Sequence, residues 1–478
     1  MLLLEILKDV EYESLNFENI EISDIGIDSR NQLNNGIFVC IVGEKVDSHN
    51  FAMEAIKNGA KVLIVEKFLN IKANTIQIKV NNTRKSLVKM AENYYENPLK
   101  NIKLIGITGT NGKTTSSYIV KSMLEECGFR VGLIGTSAYY VDTQRIESGL
   151  TTPDTLDLYR LFKMMKEANC EYIIMEVSAH AVALYKIWGI EFDVGLFTNI
   201  SQDHLDFFGN INNYANVKMS FLLSQCKKLV VNCDDEYGHR LYDNASVSKV
   251  SYAIKNPSDI FAINIKNSIQ GINFVTNVTD SIFDVKFCLP GIYNVYNVLG
   301  CLGVGKILHL PFEKMIEGVK RVTSVEGRFD VIKIKDFHAI IDYAHSPDAI
   351  QKALETAIKI KRNKVIIVFG SPGFRDSGKR KEMGRIASTY ADFCVITSDN
   401  PRYENMYNIA YEISLGVQND RFLIETDREK AIQKAFEMAE KNDLILICGK
   451  GNENYMDIKG KKIPYNDYEV VKKFINSL

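Results

Sequence analysis

The residues from Gly109 to Thr115 read GTNGKTT and have the composition of a phosphate-binding loop. Glycines allow backbone N–H groups to curl around phosphate oxygens, and the N-terminus of a following helix adds a positive dipole. In such a loop Lys113 would pair with the β- and γ-phosphates, and the Thr114 hydroxyl would bind Mg²⁺. Ile107 stands where the longer GxxxxGK[ST] form has its first glycine, so this loop is a shortened version. The motif predicts a nucleotide site but does not distinguish a kinase, a motor or a ligase.

Two further polar residues follow predicted strands. Glu176 lies near the end of the apolar run Tyr172–Val177, and His204 comes after the run Val194–Asn199. In open parallel sheets, ligands bind beyond the carboxyl ends of the strands, so both side chains would face the mouth that holds the loop. Glu176 could there reach a metal ion on the nucleotide. Taken singly, each residue is as readily explained by a structural role.

The elements that must position these residues alternate between strands and helices. Lys103–Thr108 is a predicted strand, and the following helix, Lys113 to Cys127, carries apolar residues on one face. The alternation restarts near residue 326, and it then includes three near-continuous apolar runs, Val365–Phe369, Phe393–Thr397 and Leu444–Cys448. Such runs are typical of central parallel strands that are covered on both faces. The pattern therefore predicts the α/β class with parallel sheets.

The first part of the chain is a smaller α/β segment. Ile37–Val42 and Val62–Val65 are predicted strands, and Phe51–Asn58 between them is a predicted helix. Asn97-Pro98 marks a boundary, because the residue before a proline is disfavoured in a helix. We therefore predict three domains, which comprise residues 1–98, 99–325 and 326–478.

The composition excludes several classes of protein. Hydrophobic residues make up 46% and charged residues 24% of the 478 residues, which is typical of a globular protein and not of a disordered chain or a coiled coil. The formal net charge of −1 gives no basic surplus for binding nucleic acid. The nine cysteines include no CxxC pair, the N-terminus lacks the pattern of a signal peptide, and no membrane span is expected. We expect a cytoplasmic protein with reduced thiols.

Six blocks occur in order along the chain: GTNGKTT, EVSAHA, FTNISQDHLD, LPGIYNVYN, EGRFD and DYAHSPDA. In this order they resemble the Mur ligases, and within that family the UDP-N-acetylmuramoyl-tripeptide synthetases. The resemblance implies a three-domain α/β architecture, with a central parallel-sheet phosphate-loop domain and a C-terminal Rossmann-like open sheet. It implies a ligase of peptidoglycan synthesis, in which ATP phosphorylates the carboxylate of a UDP-MurNAc-peptide. The amine of an amino acid then attacks the resulting acyl phosphate.

The resemblance also assigns roles at the nucleotide. Lys113, Glu176, His204 and Lys218 would be catalytic. Mg²⁺ would be held by Thr114, Glu176, His204 and Lys218, the last as a carbamate formed with CO₂. From the sequence alone Lys218 is a surface lysine, and only the resemblance gives it this role. The ATP-binding set implied by the resemblance is Gly109, Thr110, Asn111, Gly112, Lys113, Thr114, Asn294, Arg328 and Asp342, with His345 beside it.

The remaining implied sites hold the two other substrates. The UDP-muramoyl-peptide would contact Ser29, Thr151, Thr152, Ser178 and Lys186. Lys186 stands where the family usually has an arginine, so a charge is kept but the bidentate fork is lost. The incoming amino acid would contact Arg375, Asp399, Asn400, Pro401, Arg402, Gly449 and Glu453, with Glu453 taking an ammonium group.

The DNPR sequence at Asp399–Arg402 matches members that add meso-diaminopimelate, whose second carboxylate suits a guanidinium fork. Phe374, Asn452 and Tyr468 depart from the family pattern near this pocket. They leave open a divergent paralogue that adds L-lysine or another amine. A folylpolyglutamate synthase, a non-catalytic binder of UDP-muramoyl-peptide and a phosphate-loop motor compete with this interpretation. We expect a monomer with ATP, UDP-MurNAc-dipeptide and a diamino acid as its partners, and no nucleic acid.

Overall fold

The computed structural model describes residues 1–43, 46–71, 75–278 and 281–477. This part of the chain forms two compact units. The first unit comprises Met1–Gly106, Phe129–Asp193 and Ser224–Cys226. The second comprises Ile107–Gly128, Val194–Leu223 and the chain from Lys227 onward.

The first unit begins with a five-stranded sheet. Its strands are β1 (Glu13–Leu15), β2 (Ile25–Gly26), β3 (Gly36–Val39), β4 (Ala60–Val65) and β5 (Ile76–Lys79). They lie in the order β1-β5-β4-β3-β2, in which only the β1–β5 pair is antiparallel. The helices are α1 (Leu3–Ile6), α2 (Ala52–Lys57) and α3 (Thr83–Tyr94), with a 3₁₀ turn at Ser48–Phe51. The two strands and the helix predicted in this segment correspond to β3, β4 and α2.

The middle of the chain continues with eleven strands and eight helices among its described residues. The strands are β6 (Lys103–Thr108), β7 (Val131–Ile134), β8 (Tyr139–Val141), β9 (Gln144–Ile146), β10 (Tyr172–Glu176), β11 (Val194–Phe197), β12 (Lys228–Asn232), β13 (Ser248–Ala253), β14 (Ile260–Ser268), β15 (Gly271–Val278) and β16 (Ser281–Phe287). The helices are α4 (Lys113–Glu126), α5 (Thr155–Glu167), α6 (Ala179–Ala183), α7 (Leu205–Phe208), α8 (Ile211–Gln225), α9 (Glu236–Asn244), α10 (Ile292–Ile307) and α11 (Phe312–Arg321).

These strands form parallel arrays with antiparallel extensions. In the first unit β10 and β7 are parallel, and β8 and β9 extend from β7 as antiparallel strands. In the second unit β11, β12, β13 and β14 are parallel, and β15 and β16 continue the order as antiparallel strands. The longest uncharged run of the sequence, 287–305, provides most of α10, which packs on β11 to β15 as a buried helix. No helix in the described residues is long and apolar enough to cross a bilayer.

The C-terminal part of the second unit is an open, doubly wound sheet. Its strands are β17 (Asp330–Ile334), β18 (Phe337–Asp342), β19 (Val365–Phe369), β20 (Phe393–Ile396), β21 (Phe422–Ile424), β22 (Leu444–Cys448), β23 (Tyr455–Ile458) and β24 (Lys461–Pro464). Its helices are α12 (Pro347–Ile360), α13 (Lys379–Tyr390), α14 (Met406–Ser414), α15 (Arg428–Glu437) and α16 (Asp467–Ser477). The main sheet has the order β17-β18-β22-β19-β20-β21 and is parallel apart from β17; β23 and β24 form a separate hairpin.

Two hydrophobic cores explain the uninterrupted apolar strands of this sheet. Along β19, Val365, Ile367 and Phe369 face a core shared with α12, α13 and α14. Ile366 and Val368 face a second core, shared with α15 and α16. Because successive side chains of a strand point to opposite faces, a strand covered on both faces must be apolar at every position. The predicted Rossmann-like sheet is therefore confirmed. None of the nine cysteines, all within the described residues, forms a disulfide.

Candidate active site

The phosphate loop connects the end of β6 to the start of α4. Gly112 precedes the helix with φ +89°, and Gly109 has φ +148°. Residues that carry a side chain rarely adopt either backbone conformation. A Cβ atom at Gly109 would overlap the hydroxyl group of Thr198, and one at Gly112 would overlap the side chain of Asn297. Both glycines are therefore required by close approach as well as by backbone conformation, and the backbone turns tightly into the N-terminus of α4 as an anion-binding loop does.

Lys113 and Thr114, the two loop residues with predicted roles at the phosphates and Mg²⁺, both form hydrogen bonds within the protein. Lys113 Nζ donates hydrogen bonds to the carbonyl oxygens of Gly109 and Thr110, both at 2.8 Å. The hydroxyl of Thr114 accepts a hydrogen bond of 3.0 Å from Arg328, a residue far away in the sequence. The Arg328 guanidinium also lies 4.8 Å from the ring centroid of Tyr343. Lys113, Thr114 and Arg328 are thus brought together at one end of α4.

Lys218 lies beneath the loop and not on the surface. Lys218 is 1% exposed, and its Nζ atom donates to the carbonyl oxygen of Gly109 at 2.9 Å. Burial, reinforced by the nearby Lys113 ammonium, holds the pKa of Lys218 well below its usual value, although Asp203 opposes this. The Tyr214 ring centroid is 4.9 Å from the same Nζ atom. Two amines therefore share one carbonyl oxygen.

His204 and Asp203 follow β11 on the same side of the second unit. His204 adopts φ +54° at the start of α7, and its Nε2 atom is 3.4 Å from Asp203 Oδ2. Burial raises the pKa of Asp203, but His204, His345, Lys379 and Lys113 outweigh burial and the net effect is to lower this pKa. Asp203 therefore lies among four basic groups. The sequence contained it inside a matched block, but nothing in its type or spacing indicated this position.

Lys379 is a second residue that sequence reasoning missed. Its Nζ atom donates to the carbonyl oxygen of His345 at 2.8 Å. Burial lowers the pKa of Lys379 more than the neighbouring carboxylates, Asp203 first among them, raise it. In the sequence it is one of several basic residues that open α13, so its burial depends on tertiary packing.

Asn294 and Asp342 use their side chains to hold local backbone. Asn294 Nδ2 donates to the carbonyl oxygen of Pro290 at 2.7 Å, at the start of α10. Asp342 accepts from the backbone N–H groups of Phe329 and Ala344 at 2.7 and 2.8 Å, and burial raises its pKa despite the nearby guanidinium of Arg328. Their roles in binding ATP remain predictions.

In the first unit, Glu176 is the centre of a hydroxyl-rich cluster at the end of β10. Its carboxylate accepts from the backbone N–H of Thr136 at 3.1 Å and from the Thr136 hydroxyl at 2.9 Å. That hydroxyl lies 3.0 Å from the hydroxyl of Thr151. The Thr152 hydroxyl donates to the Glu176 carbonyl oxygen and accepts from the N–H of Ser178. Thr136, which the sequence did not indicate, thus contacts the predicted metal-site carboxylate directly, and Thr151 contacts Thr136. Thr152 connects the backbone of Glu176 to that of Ser178.

The other two residues predicted for this substrate form local contacts in the first unit. Lys186 forms an ion pair of 2.7 Å with Asp154. The hydroxyl of Ser29, which is mostly buried, donates to Glu54 Oε2 at 2.5 Å. Their contact with the UDP-muramoyl-peptide remains a prediction.

The residues predicted for the amino acid follow the carboxyl ends of β19, β20 and β22. Asn400 donates to Glu453 Oε2 at 2.9 Å, and Lys450 Nζ donates to the same oxygen at 2.7 Å. Arg402, at φ +52°, donates to the carbonyl oxygen of Gly373 at 2.8 Å. Arg375 is more exposed, and its Nη1 atom lies 4.0 Å from Asp206.

Three more predicted residues, Asp399, Pro401 and Gly449, and one that departs from the family pattern complete this region. Gly449, at φ +118°, approaches the side chain of Asp399 so closely that a Cβ atom would lie 2.7 Å from Asp399 Oδ2. The carbonyl oxygen of Pro401 lies so close to Gly373 that a Cβ atom at position 373 would overlap it, so this turn requires a glycine there. Tyr468, which departs from the family pattern, accepts from the N–H of Gly327 at 2.7 Å. The order of the strands thus places the loops after β20 and β22 next to each other. Their predicted residues, Asp399 to Arg402 and Gly449 to Glu453, form one cluster.

The oxygen ligands present near the phosphate loop suit a hard cation such as Mg²⁺. The described residues contain no group of three or more His, Cys, Asp or Glu side chains that could hold a metal by themselves. Mg²⁺ is usually bound by one or two protein oxygens together with substrate phosphates, so it does not require such a cage. The hydroxyl oxygen of Thr114, at the start of α4, could serve as such a protein ligand.

Comparison with known proteins agrees with this arrangement. Residues 21–98 match the Mur ligase family catalytic domain, 107–305 the Mur ligase middle domain, and 327–451 the Mur ligase glutamate ligase domain. The chain is 41% identical to UDP-N-acetylmuramoyl-L-alanyl-D-glutamate–2,6-diaminopimelate ligase 1 of Clostridium acetobutylicum, over 100% of both chains. It is 41% identical to the corresponding ligase of Clostridium perfringens, over 98% of this chain and 99% of the relative.

A solved structure gives the same result at the level of the fold. The structure of a UDP-N-acetylmuramoyl-L-alanyl-D-glutamate–2,6-diaminopimelate ligase superimposes with a TM-score of 0.70 and 26% identity. The match covers 100% of this chain and 99% of that chain. With matched domains along most of its sequence and relatives of the same length, the chain belongs to the Mur ligase family.

Proposed function

We propose that the chain is an ATP-dependent, ADP-forming ligase that joins meso-diaminopimelate to UDP-MurNAc-L-Ala-D-Glu in peptidoglycan synthesis. The observation that carries this proposal is the Asp399–Arg402 block, whose arginine lies with Asn400 and Glu453 at the carboxyl ends of parallel strands. Full-length relatives named as diaminopimelate ligases support the same substrate.

The reaction has two steps that the chain must bring together. An oxygen of the substrate carboxylate attacks the γ-phosphorus of ATP, ADP leaves, and an acyl phosphate forms. The amine nitrogen of the acceptor then attacks the acyl carbon, phosphate leaves, and the nitrogen loses a proton. Because all three reactants are anionic or zwitterionic, the site requires cations and close positioning more than a nucleophilic side chain.

The phosphate loop is the proposed ATP site, with Gly109 to Thr114 around the phosphates. Lys113 would stabilise the charge that develops on the γ-phosphate, and Arg328 is within reach of the same end of α4. Asn294 and Asp342, whose side chains also hold local backbone, would complete the ATP-binding set. Mg²⁺, held by Thr114, Glu176 and His204 with the carbamate of Lys218, would neutralise phosphate charge.

Carbamylation of Lys218 is the finer part of this proposal. A buried ammonium so close to Lys113 is unfavourable, whereas a neutral amine can react with CO₂ and become an anionic carbamate. The carbamate would convert a like-charge contact into an ion pair. ¹³C NMR of the protein in ¹³C-bicarbonate should show one carbamate signal, which should be absent from Lys218→Ala.

The UDP-muramoyl-dipeptide would bind to the first unit through Ser29, Thr151, Thr152, Ser178 and Lys186. The hydroxyl cluster around Glu176 supports this, since hydroxyl groups can hydrogen-bond both sugar and peptide oxygens. We also propose domains at 1–98, 99–325 and 326–478, a monomeric state and a cytoplasmic location, where ATP is supplied.

The decisive experiment is a ligation assay with three acceptors offered separately. Purified protein, ATP, Mg²⁺ and UDP-MurNAc-L-Ala-D-Glu are incubated with meso-diaminopimelate, L-lysine or L-ornithine, and the product is identified by mass. We expect meso-diaminopimelate to give the highest kcat/KM. A preference for L-lysine or L-ornithine would make the chain a divergent paralogue, and binding without any product would make it a non-catalytic binder.

A further inference from the structure

The side chain of Lys379 has hydrogen-bonding capacity that the described part of the protein does not use. An ammonium group has three donors, and Lys379 Nζ donates one hydrogen bond there, to the carbonyl oxygen of His345 at 2.8 Å. Among the residues that the structure describes, no carboxylate forms an ion pair with it. Lys379 is partly exposed, so a ligand can reach the ammonium. This cation therefore has two donors and a charge available for an anion.

The carboxylates around Lys379 belong to two different sites. Burial lowers the pKa of this ammonium, whereas Asp203, then Asp399 and then Asp376 raise it. Asp203 precedes His204 in the loop after β11, on the side of the proposed ATP site. Asp399 opens the block that is predicted to contact the amino acid. Lys379 thus lies between the two proposed sites, and all these residues belong to the second unit.

The phosphate loop contacts both segments that face this ammonium. Asn111 Nδ2, in the loop, donates to Ser201 Oγ at 3.3 Å and to Asp348 Oδ2 at 3.1 Å. Ser201 is two residues before Asp203. Asp348 is three residues after His345, whose carbonyl oxygen accepts from the ammonium. One loop residue therefore connects the proposed phosphate site to both neighbours of this cation.

Arg375, a second basic group near Lys379, already has an anionic partner. Its Nη1 atom lies 4.0 Å from Asp206 Oδ2, and its side chain is 49% exposed, so solvent screens its charge. Lys379 is less exposed and lacks such a partner among the described residues. The Lys379 ammonium therefore exerts the stronger field on an anion between the two sites.

The anion that both sites must share is the phosphoryl group. It is bound to ADP before the first step and to the substrate carboxylate before the second, when the amine of the amino acid approaches the acyl carbon. We propose that Lys379 is a further catalytic residue, whose ammonium binds the transferred phosphoryl group on the side that faces the amino acid. This inference rests on the proposed function, and it adds to Lys113 a second cation, which comes from α13.

Lys379 would act on charge and would transfer no proton. In the first step a bond forms between the substrate carboxylate and the γ-phosphorus, the bond from this phosphorus to ADP breaks, and ADP keeps the electron pair. In the second step the carbon–nitrogen bond forms, the bond from the acyl carbon to the phosphate oxygen breaks, and phosphate leaves with the electron pair. The nitrogen gives its proton to solvent. The ammonium keeps its three protons and offsets the charge on the phosphoryl oxygens in both steps.

The experiment measures kcat and the KM of each of the three substrates in wild type, Lys379→Ala and Lys379→Arg. Loss of an interaction that strengthens in the transition state lowers kcat and leaves KM unchanged. We therefore expect Lys379→Ala to lose roughly 100-fold or more in kcat, with each KM within about threefold of its wild-type value. Lys379→Arg keeps a cation that binds phosphate, so it should recover at least about tenfold of this loss.

The matched control is Lys381→Ala, two residues further along α13, where the lysine is exposed. Its kcat and KM values should resemble those of wild type. In every preparation the folded enzyme is counted by calorimetric titration with UDP-MurNAc-L-Ala-D-Glu, whose predicted contacts lie in the first unit. A variant that folds incompletely therefore does not pass for one with a low kcat.

Each contrary result has its own meaning. If wild type forms no product with any acceptor, the proposed function fails. If wild type is active and Lys379→Ala keeps its kcat, or if Lys379→Arg is as impaired as Lys379→Ala, the charge of Lys379 does not serve the phosphoryl group. If any KM rises by more than about threefold in Lys379→Ala, Lys379 binds a substrate in its ground state or only maintains the site. In these last cases the inference is wrong while the proposed function stands.

Discussion

Lys218 and Lys113 both direct their amines at the carbonyl oxygen of Gly109. At the scale of the residue, two ammonium groups at one oxygen repel each other, and a carbamate on Lys218 would remove this repulsion. We expect Lys218→Ala to lower kcat by roughly 100-fold or more, since a fixed charge near a reacting phosphate typically contributes that much. Acetate or formate should restore part of the activity by replacing the lost anion.

Lys320→Ala is the matched control for this prediction. Lys320 is on the surface near the end of α11 and pairs only with Glu317 among the described residues. Its kinetics should resemble those of wild type. Full activity of Lys218→Ala, measured as phosphate release with all substrates, would remove Lys218 from the catalytic set.

Arg402 should determine which amino acid is added. Removing one partner of a buried charge pair typically costs about 2–5 kcal/mol, which corresponds to a loss of about 30-fold to several thousand-fold in kcat/KM for meso-diaminopimelate. Arg402→Lys should also be impaired, because a point charge cannot replace the fork. The KM for ATP should change little. Both variants are measured with meso-diaminopimelate and with L-lysine.

The control for Arg402 is Arg385→Ala, which removes an exposed arginine of α13 that pairs with Glu382. It should leave the kinetics unchanged. Unaltered kinetics with meso-diaminopimelate in Arg402→Ala would mean that the Asp399–Arg402 block does not read the distal carboxylate.

The site residues differ in how far the sequence could reveal them. Lys113 and Thr114 belong to a local motif whose spacing itself implies phosphate binding. Lys218 could be found only through the resemblance, because its burial depends on the packing of α8 beneath a loop far away in the sequence. Lys379 and Thr136 had no signal at all, since common residue types become distinctive only through long-range contacts.

At the scale of the elements, a buried ion pair connects α15 with α16. Arg428 and Asp467 have side chains that are 0% exposed and lie 2.8 Å apart. Arg428 also donates to the carbonyl oxygens of Ser398 and Cys448, at the ends of β20 and β22. Burial opposes its charge, but Asp467 outweighs burial and raises the pKa of Arg428. The pair therefore anchors two of the three loops that carry the predicted amino-acid contacts, those after β20 and β22.

Asp467→Ala should reduce the free energy of unfolding by about 3–5 kcal/mol, because it leaves the Arg428 charge buried without its partner. Urea denaturation measures the loss, and hydrogen exchange should show faster exchange in α15 and α16. The control, Glu382→Ala, breaks an exposed ion pair and should cost no more than about 0.5 kcal/mol. Equal effects of the two substitutions would contradict an anchoring role.

The elements themselves were predictable where burial is continuous. The runs at β6, β19 and β22 have the predicted bounds because an apolar strand between polar turns leaves little choice of ends. The strand after residue 193 ends at Phe197 and not at Asn199, since the polar residues that follow belong to the loop. The hairpins of β14, β15 and β16 were missed because their faces are half-exposed and of mixed polarity, and because β14 and β15 carry two asparagines each.

At the scale of the whole molecule, three substrates must act together for turnover. A ligase and a binder of UDP-muramoyl-peptide differ in one observable, the release of phosphate from ATP. A ligand at 100 times its Kd stabilises a folded protein by about 2.7 kcal/mol whether or not it reacts. Thermal stabilisation by UDP-MurNAc-L-Ala-D-Glu is therefore expected in both cases and does not distinguish them.

Phosphate release does distinguish them. It should require ATP, Mg²⁺, UDP-MurNAc-L-Ala-D-Glu and the diamino acid, and should fall to background when any one is omitted. Lys113→Ala should lower it by roughly 100-fold or more, because the charge on the transferred phosphate loses its main protein cation. The same variant should still be stabilised by UDP-MurNAc-L-Ala-D-Glu, whose predicted contacts lie in the first unit. Stabilisation of wild type without phosphate release under the complete conditions would identify a binder, and the ligase assignment would have to be withdrawn.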